Sequence, residues 1–365
     1  MKSFASDNYA AVHPAVLQAI TAANVEHAPS YGADPVTERA IEVLRAEFGS
    51  HATVAFVSNG TGANVVGLRL MLRPWEHVIG ARTAHIACDE CGAPEQLLGA
   101  KLKLVDTPDG KLTPELVAAV PEYLGDMHRT QPRVVSISQA TEYGTVYSPA
   151  EVGALAEAAH SRGLYLHLDG ARLANAAASL GVSLAQASSD CGVDVLSFGG
   201  TKNGLMGAEA VVVLRPELAD ALPYARKQLM QLQSKGRFLA AQFLATTDGE
   251  LWRTTAAHAN AMAARLEAGI SCLPGVTITQ RRQVNVVFAT VPPSAVSGLQ
   301  QAAPFYVWDE TSTEVRLMCS WDTTEADVDA FVANAAMVLG AEALGAEVGR
   351  SAEAAIPLTS RGQST

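Results

Sequence analysis

The sequence predicts an α/β chain: a large domain on a mainly parallel, seven-stranded sheet with helices on both faces, followed by a smaller C-terminal α/β domain. Three observations lead there. Short β-branched apolar runs alternate with longer Ala- and Leu-rich stretches of helical period as far as about residue 213. After Pro216 the texture changes to long helical stretches and then to a second, shorter set of apolar runs. The 365 residues also exceed what one compact core usually holds.

In chain order, the apolar runs place strands at 53–57, 77–80, 102–105, 134–138, 165–168, 195–198 and 210–213. Helices are expected at 62–72, 114–124, 149–162 and 172–180, two of them opened by a proline, whose missing N–H costs nothing in a first turn. Two long helices at 224–246 and 250–273 precede strands at 284–289, 305–307 and 314–318 and a helix from 325 to 344. The division expected is an N-terminal segment 1–30 that contributes to the active site, a large domain 31–248, a small domain 249–346 and a loose, polar tail 347–365.

Composition narrows the function classes. With 48% apolar and 17% charged residues the chain is a folded globular protein. A formal net charge of -11, and no cluster of Lys and Arg interleaved with aromatics, argues against nucleic acid or an anionic membrane as partner. Five cysteines, at 88, 91, 191, 272 and 319, follow no framework spacing and read as free thiols in a reducing, cytoplasmic setting. No basic-then-apolar start and no run of about 18 apolar residues occurs, so the expectation is a soluble, untargeted protein.

Ligands of open parallel sheets sit beyond the carboxyl ends of the strands. Three strand ends there carry chemistry. The first runs into Ser58-Asn59-Gly60-Thr61-Gly62-Ala63-Asn64, where glycines and a helix start suit a phosphate, although a plain Gly turn with a Thr cap fits the same residues. The second ends in Asp169-Gly170-Ala171-Arg172; the bland reading is an ion pair at a helix start, and the functional one is a carboxylate that keeps a pyridine nitrogen protonated. The third runs into Gly199-Gly200-Thr201-Lys202-Asn203-Gly204. A lysine in a turn is usually a solvated charge, but behind a buried strand its amine is desolvated and becomes a nucleophile for a Schiff base. A phosphate cup, a pyridinium partner and a nucleophilic lysine on successive strand ends have the layout of the aspartate-aminotransferase-like fold, fold type I of the pyridoxal-phosphate enzymes.

With Phe4-Ala5-Ser6-Asp7-Asn8, Tyr31-Gly32-Ala33-Asp34-Pro35, Asn59 to Asn64, His85, His167 to Arg172 and Val315-Arg316-Leu317, the chain resembles the threonine aldolase family over about residues 4–345, in its low-specificity L-threonine aldolase or phenylserine aldolase branch. The resemblance implies pyridoxal 5'-phosphate as cofactor and the cleavage of L-β-hydroxy-α-amino acids to glycine and an aldehyde. It implies that Lys202 holds the cofactor, that Asp169 partners its ring nitrogen and that His85 stacks on its ring. Gly60, Thr61 and Arg237 then resemble phosphate ligands, with Arg237 from this chain or a neighbouring subunit. Ser6, Tyr31, Arg172 and Arg316 resemble substrate-binding groups, and Arg172 is placed at the cofactor as well. His85 and His128 are the alternatives for the base at the substrate hydroxyl. A homotetramer, a dimer of dimers with sites shared between subunits, is implied too. Two departures stand out: Asn8 where better-known members have Thr, and Asn203 between Lys202 and Gly204-Leu205.

Other readings stay open at this point. A β-eliminating lyase, racemase or aminotransferase shares the same lysine, carboxylate and phosphate cup. His167 and Asp169 share one strand face and fit a metal-dependent hydrolase. Cys88 and Cys91 have half a zinc spacing with no second pair, so no metal site is assigned. His13, His27, His51, His160 and His258 receive no role.

Overall fold

The structure, a computed structural model, describes residues 2–354, with side chains to residue 341. From the N-terminus come helices α1 (Pro14–Ala23) and α2 (Pro35–Phe48), strand β1 (Thr53–Val57), α3 (Gly60–Met71), β2 (Glu76–Ala81), α4 (His85–Cys88), α5 (Ala93–Leu98) and β3 (Lys101–Val105). Next are α6 (Pro114–Ala118), β4 (Gln131–Ser138), α7 (Pro149–Ser161), β5 (Tyr165–Gly170), α8 (Leu173–Leu180), β6 (Val195–Gly199) and β7 (Glu209–Val213). The remainder is α9 (Pro216–Ala219), α10 (Leu222–Gln228), α11 (Arg237–Thr247), α12 (Leu251–Ile270), β8 (Thr277–Ile278), β9 (Val286–Thr290), α13 (Val296–Ala302), β10 (Tyr306–Asp309), β11 (Glu314–Met318) and α14 (Glu325–Ala354).

The first sheet has seven strands in the order β1-β7-β6-β5-β4-β2-β3. Strand β7 is antiparallel to β1 and β6, and the remaining pairs are parallel. Its inner strands are largely apolar because both faces are covered. Phe56, Leu166, Leu168, Leu196 and Phe198 face one apolar layer, while Val57, Val78, Val134, Val195 and Val211 face the other. The four-stranded second sheet, β10-β11-β9-β8, is antiparallel throughout. It packs with α12, α13 and α14 around Met262, Leu266, Val287, Leu317 and Phe331.

The N-terminal segment belongs to this second core: Phe4 is 1% exposed there, its N–H donates to Pro304 and its carbonyl accepts from Met318. That strap carries Ser6, Asp7 and Asn8 across to the large sheet.

Several expected elements differ. Helix α6 stops at Ala118 instead of 124, because Pro121 forces the residue before it out of helical backbone. The expected helix 224–246 is two, α10 and α11, separated by an irregular segment in which Met230 takes φ +61°. Helices α1 and α2 were not anticipated; Asp34 caps the second by accepting from the Thr37 N–H at 2.8 Å. Helix α14 runs ten residues past 344, so the expected tail 347–365 is helical to Ala354, and its residues 355–365 lie outside the described ones. Among the described residues, no helix is long and apolar enough to cross a membrane.

Candidate active site

Because β1, β2, β4, β5 and β6 run in the same sense and β7 returns, one edge of the sheet gathers Ser58, His85, Glu142, Asp169, Lys202 and Glu209. A cleft of roughly 390 Å³ opens there, lined by Gly60, Thr61, His85, Asp169, Thr201 and Lys202 among others. It continues into a second cavity of about 410 Å³, bounded by Ser6, Arg172, Tyr306, Trp308 and Arg316 and sharing Asn8, His85 and Lys202 with the first.

Lys202 sits in a tight turn after β6. The turn lies hard against the end of β5: a Cβ on Gly199 would stand 2.6 Å from the Cα and carbonyl oxygen of Ala171. Burial lowers the Lys202 ammonium below its usual range, and nearby Arg172 adds to the effect. A carboxylate lies below the turn, where Glu209 accepts from the Gly200 N–H at 2.7 Å and burial holds its own titration above normal. The unexpected Asn203 is an anchor: its amide donates to the Trp252 carbonyl on α12 at 2.9 Å.

Asp169, 6% exposed, ends β5. Its Oδ1 accepts from the Ala171 N–H at 3.0 Å and its Oδ2 from Asn64 Nδ2 at 2.8 Å. The same Asn64 amide donates to Glu90 at 2.8 Å, and Glu90 meets His85 Nδ1 at 2.9 Å. This chain of bonds fixes the His85 ring over the cleft. The Glu90 bond raises the His85 imidazolium above its ordinary range despite the opposing effect of burial.

The start of α3 forms the third wall. Asn59 accepts from the Gly62 N–H at 2.7 Å, which leaves the Gly60 and Thr61 N–H groups at the free end of a helix beside the cleft. Gln231, from the break between α10 and α11, buttresses this end by accepting from the Ser58 N–H and hydroxyl at 3.1 and 2.9 Å.

In the second cavity, Arg172 forms a fork on Asp7, Nε to Oδ2 at 2.8 Å and Nη2 to Oδ1 at 2.9 Å, with Asn285 donating to the same carboxylate at 3.1 Å. Burial alone would raise the Asp7 carboxyl, but the Arg172 charge and hydrogen bonds, with Lys202 and Asn285, together outweigh it and hold Asp7 below the usual range. Arg316 lies over the rings of Tyr306 and Trp308, at 5.4 and 5.1 Å, and donates one bond to the Ala5 carbonyl. Its Nε is buried without a partner, and among the described residues no carboxylate stands within ion-pair range of it. Burial, then the like charge of Arg172, lowers its affinity for a proton. A buried fork with an unmet donor is a receptor for a carboxylate.

Against known proteins, the chain matches the family model described as beta-eliminating lyase over residues 3–293. It is 40% identical over 341 residues to the low specificity L-threonine aldolase of Pseudomonas aeruginosa, covering 93% of this chain and 99% of that one. The same enzyme from a Pseudomonas species, strain NCIMB 10558, aligns with the same identity and coverage. The chain belongs to the threonine aldolase family. A threonine aldolase of Leishmania major, 30% identical, superposes with a TM-score of 0.88 over 93% of this chain and all of that one. The aspartate aminotransferase of Thermus thermophilus, 18% identical, superposes at 0.67 over 92% and 90% of the two chains and shares the fold.

As a threonine aldolase family member, the chain brings most of its expected site residues together. Gly60, Thr61, His85, Asp169 and Lys202 line the first cleft; Ser6, Arg172 and Arg316 line the second. Three do not join them. His128 is exposed in the loop before β4, and β4 is eight residues long, so about 23 Å of strand separates it from the edge that holds Lys202. Within one chain it does not reach the substrate hydroxyl. Arg237 spends its guanidinium on the Val25 and Glu26 carbonyls at 3.3 Å, and Tyr31, 53% exposed, lies 5.5 Å below the Lys227 ammonium; neither lines the cleft of its own chain. The metal reading fails on chemistry, because both His167 nitrogens bond serine hydroxyls, Ser136 at 2.9 Å and Ser197 at 3.1 Å.

Asn64, Glu90, Glu142, Thr201 and Glu209 were not singled out beforehand. Only the positions of Asn64 and Thr201, inside the two glycine motifs, could have flagged them.

Proposed function

We propose that this chain is an aldehyde-lyase that cleaves L-β-hydroxy-α-amino acids, threonine, allo-threonine and phenylserine among them, to glycine and an aldehyde. The carrying observation is that a half-buried lysine amine and a buried carboxylate, at the ends of adjacent strands, share a cleft with a helix N-terminus, and that this cleft opens onto an Arg316 fork with an unmet donor. These groups fit pyridoxal 5'-phosphate: Lys202 to hold its aldehyde carbon, Asp169 its ring nitrogen, His85 its ring face, and Gly60, Thr61 and the α3 N-terminus its phosphate. When bound, the cofactor supplies an electron sink for the pair released at the substrate's α-carbon.

The protein's own residues choose the bond. Arg316, with the Arg172 nitrogen that Asp7 does not engage, holds the substrate carboxylate and so sets which α-carbon bond stands aligned for cleavage. The aromatic rim of Tyr306 and Trp308, with Val307, gives the β-substituent an apolar surface, methyl or phenyl alike. A homotetramer with sites shared between subunits accounts for Arg237 and Tyr31, which their own cleft leaves unused. The acidic charge and the free thiols support a cytoplasmic setting.

The test is product analysis. Purified protein supplied with the cofactor should release equimolar glycine and benzaldehyde from L-phenylserine, and glycine and acetaldehyde from L-threonine, with activity surviving dialysis against a chelator. Pyruvate from serine, or alanine racemisation, in place of glycine release would overturn the reading in favour of another enzyme of this fold.

A further inference from the structure

Retro-aldol cleavage needs a proton acceptor at the substrate's β-hydroxyl. Within one chain His128 lies at the far edge of the sheet. His85 already engages its Nδ1 with Glu90.

Glu142 has the opposite character. It follows β4 on the loop whose next residue, Tyr143, packs against Phe288 and Trp308 of the second sheet at 5.7 and 6.2 Å between ring centres. One carboxylate oxygen, Oε1, is fixed twice, by the His85 backbone N–H and the Ser138 hydroxyl, both at 2.8 Å. The other, Oε2, is buried with no partner. The side chain lines the cavity that holds Arg172, Arg316 and Lys202, and the smaller void between His85, Asp169 and Lys202. A buried carboxylate oxygen without a donor, held rigidly beside the place where a hydroxyl-bearing carbon must sit, is a receptor for an O–H.

Resting on the retro-aldol reading above, we propose that Glu142 Oε2 accepts the hydrogen bond of the substrate's β-hydroxyl and takes its proton as the Cα–Cβ bond breaks. The hydroxyl oxygen keeps the O–H pair and forms the aldehyde C=O. The Cα–Cβ pair stays on the α-carbon side, and one proton delivered there completes glycine, so proton and electron counts balance with no further reactant. Burial, together with the nearby Asp169 charge, raises the Glu142 carboxyl and makes it a stronger proton acceptor than an exposed glutamate, while its bonds to Ser138 and the His85 N–H oppose that shift. The other charged or titratable groups lining the same cavities are Arg172, Lys202, Arg316, Asp89, His85 and Glu90.

The experiment compares Glu142→Gln with wild type, both loaded with cofactor, in two reactions. Cleavage of L-phenylserine requires the hydroxyl proton to leave; exchange of the glycine α-hydrogen for deuterium in D2O does not. The variant is expected to lose about 10²–10⁴-fold in kcat for cleavage, with glycine exchange changed only a few-fold. The thermal midpoint of the cofactor-free variant, measured in parallel, should match wild type. Equal loss in both reactions, or a lowered midpoint, would show that Glu142 only supports His85; undiminished cleavage would show that it is not the base. If wild-type protein releases no glycine from phenylserine, it is the retro-aldol reading that fails, not the assignment of Glu142 within it.

Discussion

Asp7 and Arg172 illustrate how one residue pair ties the N-terminal strap to the large sheet. The carboxylate is fully buried, arrives on the N-terminal strap, and meets the guanidinium at the end of β5 through two bonds. Removing one member of such a pair leaves an uncompensated buried charge, at a cost of about 3–5 kcal/mol. Asp7→Ala should lower the unfolding free energy by that amount at neutral pH. The pH dependence follows from the shift. Asp7 titrates lower in the folded chain than in the unfolded one, so its contribution is fully present above the ordinary carboxylate range and is lost as pH falls through the depressed value. Urea unfolding of wild type and Asp7→Ala from pH 7 downward should show a gap that holds to about pH 5 and narrows steadily below it. A gap independent of pH down to acid unfolding would mean that the pair does not account for it.

At the scale of the element, the strand ends set the site. The β6 turn carries Lys202 and touches the backbone after Asp169, where a side chain on Gly199 would meet main-chain atoms that cannot rotate away. Gly199→Ala should therefore cost about 1–3 kcal/mol by overpacking and lower the thermal midpoint by several degrees. It should also weaken cofactor retention, because the amine and carboxylate are forced apart; a variant that melts and binds like wild type would show that the close approach is unimportant. The inner strands were legible in the sequence because both their faces are covered, which writes them as largely apolar runs such as Val195 to Phe198. Lys202, Asp169, Gly60 and Thr61 were legible for the same reason, as polar residues ending those runs. The break between α10 and α11 was not, since what stabilises it is a long-range bond, Gln231 to Ser58, with no local signature. Glu90, Glu142 and Glu209 were illegible too: an acidic residue in a loop or at the start of a strand reads as solvated surface until the fold encloses it. His128, taken from a poorly marked stretch, lies at the far edge of its own chain's sheet.

Taken whole, the molecule puts its chemistry where two sheets and the N-terminal strap meet. The large sheet supplies the amine, the carboxylate and the helix N-terminus. The second sheet supplies Arg316 and the aromatic rim, and the strap from Phe4 to Asn8 closes the gap between them. Each piece is distant in sequence, so the cleft exists only in the folded chain. Everything in this account depends on the Lys202 amine being the point of covalent attachment for the cofactor. Borohydride reduction of the cofactor-loaded protein, followed by peptide mass mapping, tests that directly. The cofactor mass should appear on the peptide containing Lys202 and vanish in Lys202→Ala; its appearance on any other lysine, or its persistence in that variant, would contradict the account.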